Sequence, residues 1–355
     1  MNDPLVVEVT RGSAVESIHL VDIALVDSTG KLVDGWGEAN RPTLPRSSLK
    51  PIQATPLITE GIADSAGLNT EQLAVACSSH NGEPRHVQVV DRWLDMMGFS
   101  HAVLECGAHA PSNPQAARDL VLAGIEPDSR HNNCSGKHAG FVAMSQHCDA
   151  DVSGYISPSH PVMKRLVTPA VEDFCRIDLS DQTPGVDGCG VPVWSIPLNH
   201  LAGGWSQLRA RGSGKRLLQA MTDEPFLVAG TDRACTRLMD ASSGDAAVKT
   251  GAEGVFCGVD LRNGFAFALK ARDGQARAAE MAAEWILDRL GCIEFASPRI
   301  LRNWTGTAVG EVRISSNKTC PSVSPYLGEA SLDRSSYDST NQSTHPSNLR
   351  DATLC

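Results

Sequence analysis

Hydrophobic and polar residues alternate over residues 6–36, a pattern typical of strands with one face turned towards a core. The segments VVEVTRG and SIHLVDIALVDSTGKLVDGWGE predict two or three strands, with a turn at residues 27–30. Further strands are predicted near the other end of the chain, over residues 247–254, 254–260 and 264–271. Strands therefore open and close the sequence.

Between the two groups of strands, apolar residues recur at helical spacing. A helix is predicted from Pro51, because proline suits a first helical turn and Ile52, Leu57 and Ile58 share an apolar face. The segment AVACSSHNGE is either a buried strand or the end of a helix that enters a loop. Other helices are predicted after HNNCSGKH and over residues 86–98, 113–124, 161–174, 206–221, 232–239 and 275–290. The simplest architecture is a mixed α/β (α+β) fold, in which both chain ends form one sheet around a helical insertion.

Composition narrows the class of protein. The 355 residues carry 31 Lys and Arg against 41 Asp and Glu, without a basic block that could follow a nucleic-acid backbone. No apolar run approaches the roughly 18 residues of a membrane span, and residues 1–15 lack the pattern of a secretory signal. We therefore expect a cytoplasmic protein that binds neither nucleic acid nor membranes, with its 11 cysteines reduced.

The last part of the sequence differs in kind from the rest. Residues 314–355 are dense in Ser, Thr, Asn and Pro, with scarcely any apolar period. Such a segment cannot bury enough surface to offset its chain entropy, so we expect a flexible tail. Residues 1–313 are then expected to form a single domain.

The first candidate for chemistry is Ser47-Ser48-Leu49-Lys50. Ser47 and Lys50 are three positions apart, so at a helix start their side chains can meet. A partly desolvated lysine can act as the base that makes a serine hydroxyl nucleophilic, and the helix N-terminus can present N–H groups to an oxyanion. The alternative is an N-capping serine beside a solvated lysine.

A second motif is Lys249-Thr250-Gly251, within a predicted strand near the C-terminus. Together with the serine and lysine at 47 and 50 it has the order of motifs in serine β-lactamases, with Ser78 or Ser79 as the intervening serine. The SDN element and a dedicated deacylating glutamate are not found in the sequence. The order therefore favours the fold more than a β-lactam substrate.

A third group of residues has the chemistry of a metal site. Cys134 and Lys137 are three positions apart at a predicted helix start, and Asp187 and Cys189 follow in VDGCG. A lysine favours the thiolate of a neighbouring cysteine, and two thiolates are soft ligands that suit Zn²⁺. Two buried structural cysteines remain the alternative.

Several motifs in order resemble the rhizobial-type (type 3) L-asparaginases. They are RGSAVESIH, PRSSLKPIQA, ACSSHNGE, NNCSGKHAGF, VDGCGVP, VAGTDRACTRLM, VKTGAEGV and the closing NWTGTAVGEV. The resemblance runs from about Val7 to Val312 and does not extend into the tail. It implies a fold similar to serine β-lactamases and glutaminases with a central antiparallel sheet, a homodimer, and hydrolysis of L-asparagine to L-aspartate and ammonia.

The resemblance also implies roles for particular residues. Two Ser–Lys pairs fall on Ser47 with Lys50 and on Ser79 with Lys249, the first to attack the amide and the second to pass a proton to ammonia. The implied zinc ligands are Cys134, Lys137 and Cys189, and Arg46 and Asp187 lie in matching motifs. Together with His80, a histidine in a predicted loop, Arg46 and Asp187 are the residues expected at the substrate.

Two other functions remain as alternatives. The first is an amidohydrolase in which zinc-bound water attacks directly, and the second is a non-catalytic or β-lactam-recognising protein on the same fold.

Overall fold

The computed structural model describes residues 2–295 and 297–315. Its strands are β1 (Leu5–Arg11), β2 (Ala14–Val26), β3 (Leu32–Trp36), β4 (Pro42–Thr43), β5 (Gly185–Val186), β6 (Pro192–Val193), β7 (Ile196–Pro197), β8 (Ala246–Gly251), β9 (Val255–Asp260), β10 (Ala266–Ala271), β11 (Arg299–Arg302) and β12 (Ala308–Ile314).

One antiparallel sheet is assembled from both ends of the chain, as the sequence predicts. Its strand order is β11-β12-β1-β2-β10-β9-β8, and β3 pairs with the second half of β2 beyond the end of β1. At the centre, Ile23 of β2 lies opposite Leu269 of β10. This register joins the two chain ends inside the core.

Helices fill the middle of the chain. They are α1 (Lys50–Gln53), α2 (Pro56–Thr59), α3 (Ile62–Ser65), α4 (Thr70–Ala76), α5 (Pro84–Met96), α6 (Pro114–Ala123), α7 (Ser135–His147), α8 (Thr168–Cys175), α9 (Leu198–Ala210), α10 (Gly212–Asp223), α11 (Pro225–Val228), α12 (Ala234–Ala241) and α13 (Ala276–Arg289). Shorter 3₁₀ segments occur at Arg46–Leu49, His101–Val103 and Ser129–His131, and a π-helical turn covers Val162–Val167.

The centre of the sheet is covered on both faces. Helix α13 packs against β1, β2, β9, β10 and β12, and α9 packs against β2, β9 and β10. Every residue of β9 is buried, as expected for a strand enclosed between helices. No helix in the described ranges is long and apolar enough to cross a membrane.

Some predicted boundaries are wrong. The helix predicted over residues 206–221 is two helices, because Arg211 is extended and Gly214 lies against the preceding helix. A Cβ atom at Gly214 would lie 2.1 Å from the Leu208 carbonyl oxygen. Residues 74–83, for which the sequence allowed either a buried strand or a helix end, form the end of α4 followed by a loop.

The C-terminal edge of the sheet was not predicted. Strand β11 alternates half-buried and exposed residues, so it carries little apolar signal. The predicted domain boundary after residue 313 falls inside β12, which ends at Ile314. Ser315 still pairs with β1 through its N–H and the Val6 carbonyl, and the rest of the predicted flexible tail lies outside the described residues.

A buried carboxylate ties the sheet to the segment that leads into the site. Asp22 of β2 is fully buried and accepts hydrogen bonds from Arg272, from Arg41 and from the Glu38 N–H. Arg41 lies just before β4, which pairs with β7. This ion pair therefore holds the entry to the 3₁₀ turn that contains Ser47.

We expect Asp22→Asn to lower the free energy of unfolding by about 3 kcal/mol, because two arginines then lose a buried partner. Urea unfolding followed by circular dichroism measures this change. The matched control is Asp64→Asn, since Asp64 is exposed and pairs with Arg216 at the surface; it should change stability by less than about 0.5 kcal/mol. Equal effects in the two variants would contradict the role given to Asp22.

Candidate active site

Ser47 lies in a tight 3₁₀ turn that runs straight into α1. Arg46 enters the turn in a left-handed conformation, with φ of 51°. The N–H of Ser48 donates to the Pro45 carbonyl at 3.1 Å. Gly251 of β8 backs the turn so closely that a Cβ atom there would lie 2.6 Å from the same carbonyl oxygen. The glycine of the KTG motif is thus needed for the approach of β8 to this turn.

The Lys50 amine is buried and surrounded by oxygen atoms. It donates to the Ser78 carbonyl, to the Ser79 hydroxyl at 2.9 Å and to the Asn133 carbonyl at 3.4 Å. In the described residues it makes no hydrogen bond to the Ser47 hydroxyl, which is half-buried. The expected Ser47–Lys50 hydrogen bond is therefore not formed, and the amine bonds instead to three acceptors on neighbouring loops.

Ser79 lies in the loop after α4 and meets a second lysine. Lys249, in β8, is fully buried, and its amine lies 2.9 Å from the Ser79 hydroxyl and 2.8 Å from the Thr250 carbonyl. The Ser79 N–H is already bonded to the Val228 carbonyl. The structure therefore brings the predicted pair Ser79 and Lys249 together, and adds Lys50 to it.

The two lysine amines have different surroundings. Burial lowers the pKa of Lys249 to about 7, and the charges of Lys50 and Arg233 act in the same direction against the opposing effect of Cys235. Lys249 can therefore be neutral near pH 7 and accept the Ser79 proton, while Lys50 donates to the Ser79 oxygen. Each amine lies 2.9 Å from the Ser79 hydroxyl oxygen.

Cys134, Lys137 and Cys189 also come together. Cys134 immediately precedes α7, Lys137 lies in its first turn, and Cys189 reaches them from the loop between β5 and β6. The Lys137 amine donates to the Cys189 sulfur at 3.0 Å, and all three side chains are at most 5% exposed. Gly136 allows α7 to approach α4, since a Cβ atom there would lie 2.2 Å from the Val75 carbonyl oxygen.

The electrostatics of this cluster favour one thiolate. A hydrogen bond from Cys189 lowers the pKa of Cys134 well below its usual range, and the charges of Lys50 and Lys137 add to the effect against burial. Donating that bond, together with burial, raises the pKa of Cys189. Burial alone would lower the pKa of Lys137, but the two sulfurs outweigh it and raise the pKa.

Two sulfurs and one amine nitrogen form a donor set that suits Zn²⁺ when the amine loses its proton. Within the ranges described, no group of three or more His, Cys, Asp or Glu side chains has the arrangement of a metal site. A site at Cys134 and Cys189 thus needs Lys137 as its third ligand.

Asp187 lies next to this cluster and is paired with Arg46. The Arg46 Nε and Nη2 atoms each lie 2.8 Å from the Asp187 Oδ1 atom. Burial opposes ionisation of Asp187, but the Lys137 charge and the Arg46 hydrogen bond outweigh it and lower the pKa of the carboxyl. The structure therefore brings two of the residues predicted at the substrate, Arg46 and Asp187, beside the cysteine cluster.

His80, the third residue predicted at the substrate, is fully buried and has both ring nitrogens occupied. Its Nδ1 atom accepts from the Gly82 N–H at 3.0 Å, and its Nε2 atom is 2.8 Å from the Ser135 hydroxyl. Burial, with the nearby His86 and the Lys50 charge, lowers the pKa of His80 well below its usual range. The neutral ring of His80 stacks on the ring of His86, with 4.8 Å between the ring centroids. His80 directly follows Ser79, so this packing helps to hold the loop that contains Ser79.

The structure adds residues to which the sequence gave no role. Arg233 donates to the Asn81 side chain at 2.8 Å and to the Ser79 carbonyl at 3.4 Å. Asn81 is held in turn by Glu83 and by the Thr231 carbonyl. These residues lie in ACSSHNGE and VAGTDRACTRLM, two of the quoted motifs, which was the signal available in the sequence.

A family model described as L-asparaginase II matches residues 7–314. This chain belongs to the L-asparaginase II family. The resemblance predicted from the motifs is confirmed, and membership supports amidohydrolase activity of the L-asparaginase kind.

Solved structures give more distant similarities to this L-asparaginase II family member. A beta-lactamase from Mycobacterium bovis aligns over 76% of this chain and 94% of its own, with 13% identity and a TM-score of 0.37. The native form of Mglu aligns over 78% and 65%, with 14% identity and a TM-score of 0.36. Scores this low do not bear on mechanism. No curated protein matches the sequence significantly.

We expect the Lys249 amine to titrate near pH 7, because burial disfavours its charge. NMR titration of isotope-labelled lysine side chains, assigned with Lys249→Met, measures the midpoint. In the unfolded chain the same amine keeps its proton to about pH 10.4. Between the two values the unfolded state binds more protons, so the free energy of unfolding should rise with pH.

The rise should be absent from Lys249→Met and retained in the control Lys215→Met, since Lys215 is exposed. An ordinary lysine midpoint for Lys249, or the same pH slope of stability in both variants, would show that its amine is not desolvated.

Proposed function

We propose that this protein is an L-asparaginase that hydrolyses L-asparagine to L-aspartate and ammonia. The observation that supports the proposal best is the Ser79 hydroxyl between the Lys50 and Lys249 amines, beside the helix start that carries Ser47. The chain belongs to the L-asparaginase II family, in agreement with this substrate.

A proton relay along the hydrogen-bonded groups Lys50, Ser79 and Lys249 can make Lys50 a base and Lys249 an acid. Lys50 gives a proton to the Ser79 oxygen, and the Ser79 proton passes to neutral Lys249. Lys50 is then neutral and lies three residues from Ser47, within reach after a side-chain rotation. Lys249 then holds the proton that the leaving group needs.

In the acylation step the Ser47 oxygen attacks the side-chain carboxamide carbon while Lys50 takes the Ser47 proton. The bond from Ser47 Oγ to the carbon forms, and the carbon–nitrogen bond breaks. Lys249 protonates the departing nitrogen through Ser79, so it leaves as ammonia. Water then cleaves the β-aspartyl ester: its oxygen goes to the acyl carbon, and a proton returns to Ser47.

The position of Ser47 favours it over Ser79 as the attacking group. Ser47 lies in the first turn of a helical segment, where the Ser48 N–H is bonded to the Pro45 carbonyl. The Ser47 N–H has no backbone partner outside this helical segment among the described residues and can hold an oxyanion. The Ser79 N–H is bonded to the Val228 carbonyl instead. One observation favours the opposite assignment, because both lysine amines contact the Ser79 hydroxyl and not that of Ser47.

Cys134, Lys137 and Cys189 are the residues that would hold Zn²⁺. The ion would supply a positive charge with an open position that orients the polar end of the substrate. Asp187, whose pKa is lowered by Lys137 and Arg46 against its burial, would accept the substrate ammonium. These groups orient the substrate, and the serines and lysines carry out acyl transfer.

We expect Ser47→Ala to lower kcat for ammonia release from L-asparagine roughly 10⁴-fold, since the nucleophile is lost. Acid quenching of the wild-type enzyme during turnover should leave a β-aspartyl adduct, and peptide mass spectrometry should locate it on Ser47. The matched control is Ser145→Ala, because Ser145 is buried within α7 and donates only to the Phe141 carbonyl; it should keep wild-type turnover.

Each other outcome identifies an alternative. An adduct on Ser79 would exchange the roles of the two serines. Near-normal turnover of Ser47→Ala with zinc bound would favour attack by zinc-bound water. A β-lactam adduct without ammonia release from L-asparagine would favour a β-lactam-recognising protein.

Removing metal with a chelator should raise KM for L-asparagine more than it lowers kcat, because the ion is assigned to orientation. Cys189→Ala should behave like the chelated enzyme and lose zinc on elemental analysis. Cys148→Ser should retain zinc, since Cys148 lies at the end of α7, away from the cluster. Complete loss of kcat with unchanged substrate binding would place the metal in the chemical step instead.

A further inference from the structure

Arg233 is a cation of the site to which no role has been given. It lies immediately before α12 and is half-buried. Its Nη1 atom donates to the Asn81 Oδ1 atom at 2.8 Å and to the Ser79 carbonyl at 3.4 Å. The Nη1 end of the guanidinium is therefore held beside Ser79, the residue whose hydroxyl contacts both lysines.

The partner of Arg233 is itself held in place by a buried network. The Asn81 Nδ2 atom donates to Glu83 at 3.1 Å and to the Thr231 carbonyl at 3.0 Å, so its oxygen must face Arg233. Glu83 also accepts from the Thr231 N–H at 2.8 Å and from the Thr231 hydroxyl at 2.6 Å. A Cβ atom at Gly230 would lie 2.4 Å from Glu83, so this packing requires glycine.

The rest of the Arg233 guanidinium is unused within the described part of the chain. Its Nε and Nη2 atoms make no hydrogen bond there, and no carboxylate lies within ion-pair distance. Arg46 differs, because Asp187 takes two of its donors. Arg233 thus keeps an unneutralised charge and two parallel N–H donors next to Ser79.

We propose that Arg233 binds the α-carboxylate of the substrate through its Nε and Nη2 donors. A planar guanidinium with two parallel donors matches a carboxylate, and lysine lacks this geometry. Asp187 then receives the α-ammonium on the same carbon, so each of the two charged groups of the amino acid meets a group of opposite charge. Because this role concerns the amide substrate, it rests on the proposed function.

Arg233 then makes the site selective for amides that carry a free α-carboxylate. L-Asparagine and β-alaninamide differ only in this group, because the second has hydrogen where the first has the carboxylate. Loss of a charge-assisted bidentate contact corresponds to roughly 100-fold in kcat/KM. The wild-type enzyme should therefore prefer L-asparagine by about this factor.

The test compares both amides in the wild type, Arg233→Gln and Arg233→Lys. In Arg233→Gln, kcat/KM for L-asparagine should fall roughly 100-fold more than that for β-alaninamide. Both amides share any effect of the lost contacts to Ser79 and Asn81, but only L-asparagine has the α-carboxylate. Arg233→Lys keeps the charge and should recover part of the loss. The matched control is Arg237→Gln, one turn further along α12, where the arginine pairs with Glu284; it should leave both substrates unaffected.

Calorimetry with the products gives the same comparison without turnover. L-Aspartate should bind more weakly to Arg233→Gln than to the wild type, and β-alanine should bind equally to both. An equal fall for both amides, or for both products, would give Arg233 a purely structural role and overturn the inference alone. Failure of the wild type to release ammonia from either amide would overturn the proposed function, and the inference with it.

Discussion

The Ser79 hydroxyl lies between two lysine amines that the protein removes almost completely from water. An ammonium group loses much of its solvation when it is buried, so each amine needs oxygen acceptors to remain charged. Lys50 has three such acceptors, whereas Lys249 has the Thr250 carbonyl and the shared hydroxyl. Burial lowers the pKa of Lys249 to about 7. A donor and an acceptor on one serine are the conditions for proton transfer at neutral pH.

Tight backbone approaches hold these groups in place. Lys249 comes from the edge strand β8, and the same strand supports the Ser47 turn through Gly251. Cys134 and Lys137 lie at the start of α7, which reaches α4 only because Gly136 has no side chain. Any larger residue would force the elements apart, because its Cβ atom would lie within 2.6 Å of a backbone oxygen in either place. The catalytic candidates therefore depend on residues that carry no chemistry themselves.

Charge is divided unevenly around the site. Arg46 and Asp187 neutralise one another beside the cysteine cluster, whereas Arg233 is held by the neutral side chain of Asn81. Within the thiol pair, the neighbouring Cys189 lowers the pKa of Cys134, whose Sγ atom also lies 3.0 Å from the Asn133 Oδ1 atom. The proposed substrate has an ammonium and a carboxylate group, which could pair with Asp187 and Arg233. At Asp22 the buried carboxylate is paired with two arginines, whereas Arg233 has no carboxylate partner among the described residues.

The amino-acid sequence by itself determined the strands at both chain ends and the helical middle, because local periodicity indicates them. Its short motifs indicated the family and the residue types of the candidate site. It also joined Ser79 to Lys249 and Cys134 to Cys189 across long separations, through the family's motifs. Spacing and the same motifs also paired Lys50 with Ser47, but in the tertiary structure the Lys50 amine bonds to Ser79 and to acceptors on two other loops. The structure likewise decided that His80 is buried and that Arg233 is available. Local spacing cannot predict contacts between residues that are distant in the sequence. When a side chain has several possible hydrogen-bond partners, these contacts decide which partner it takes.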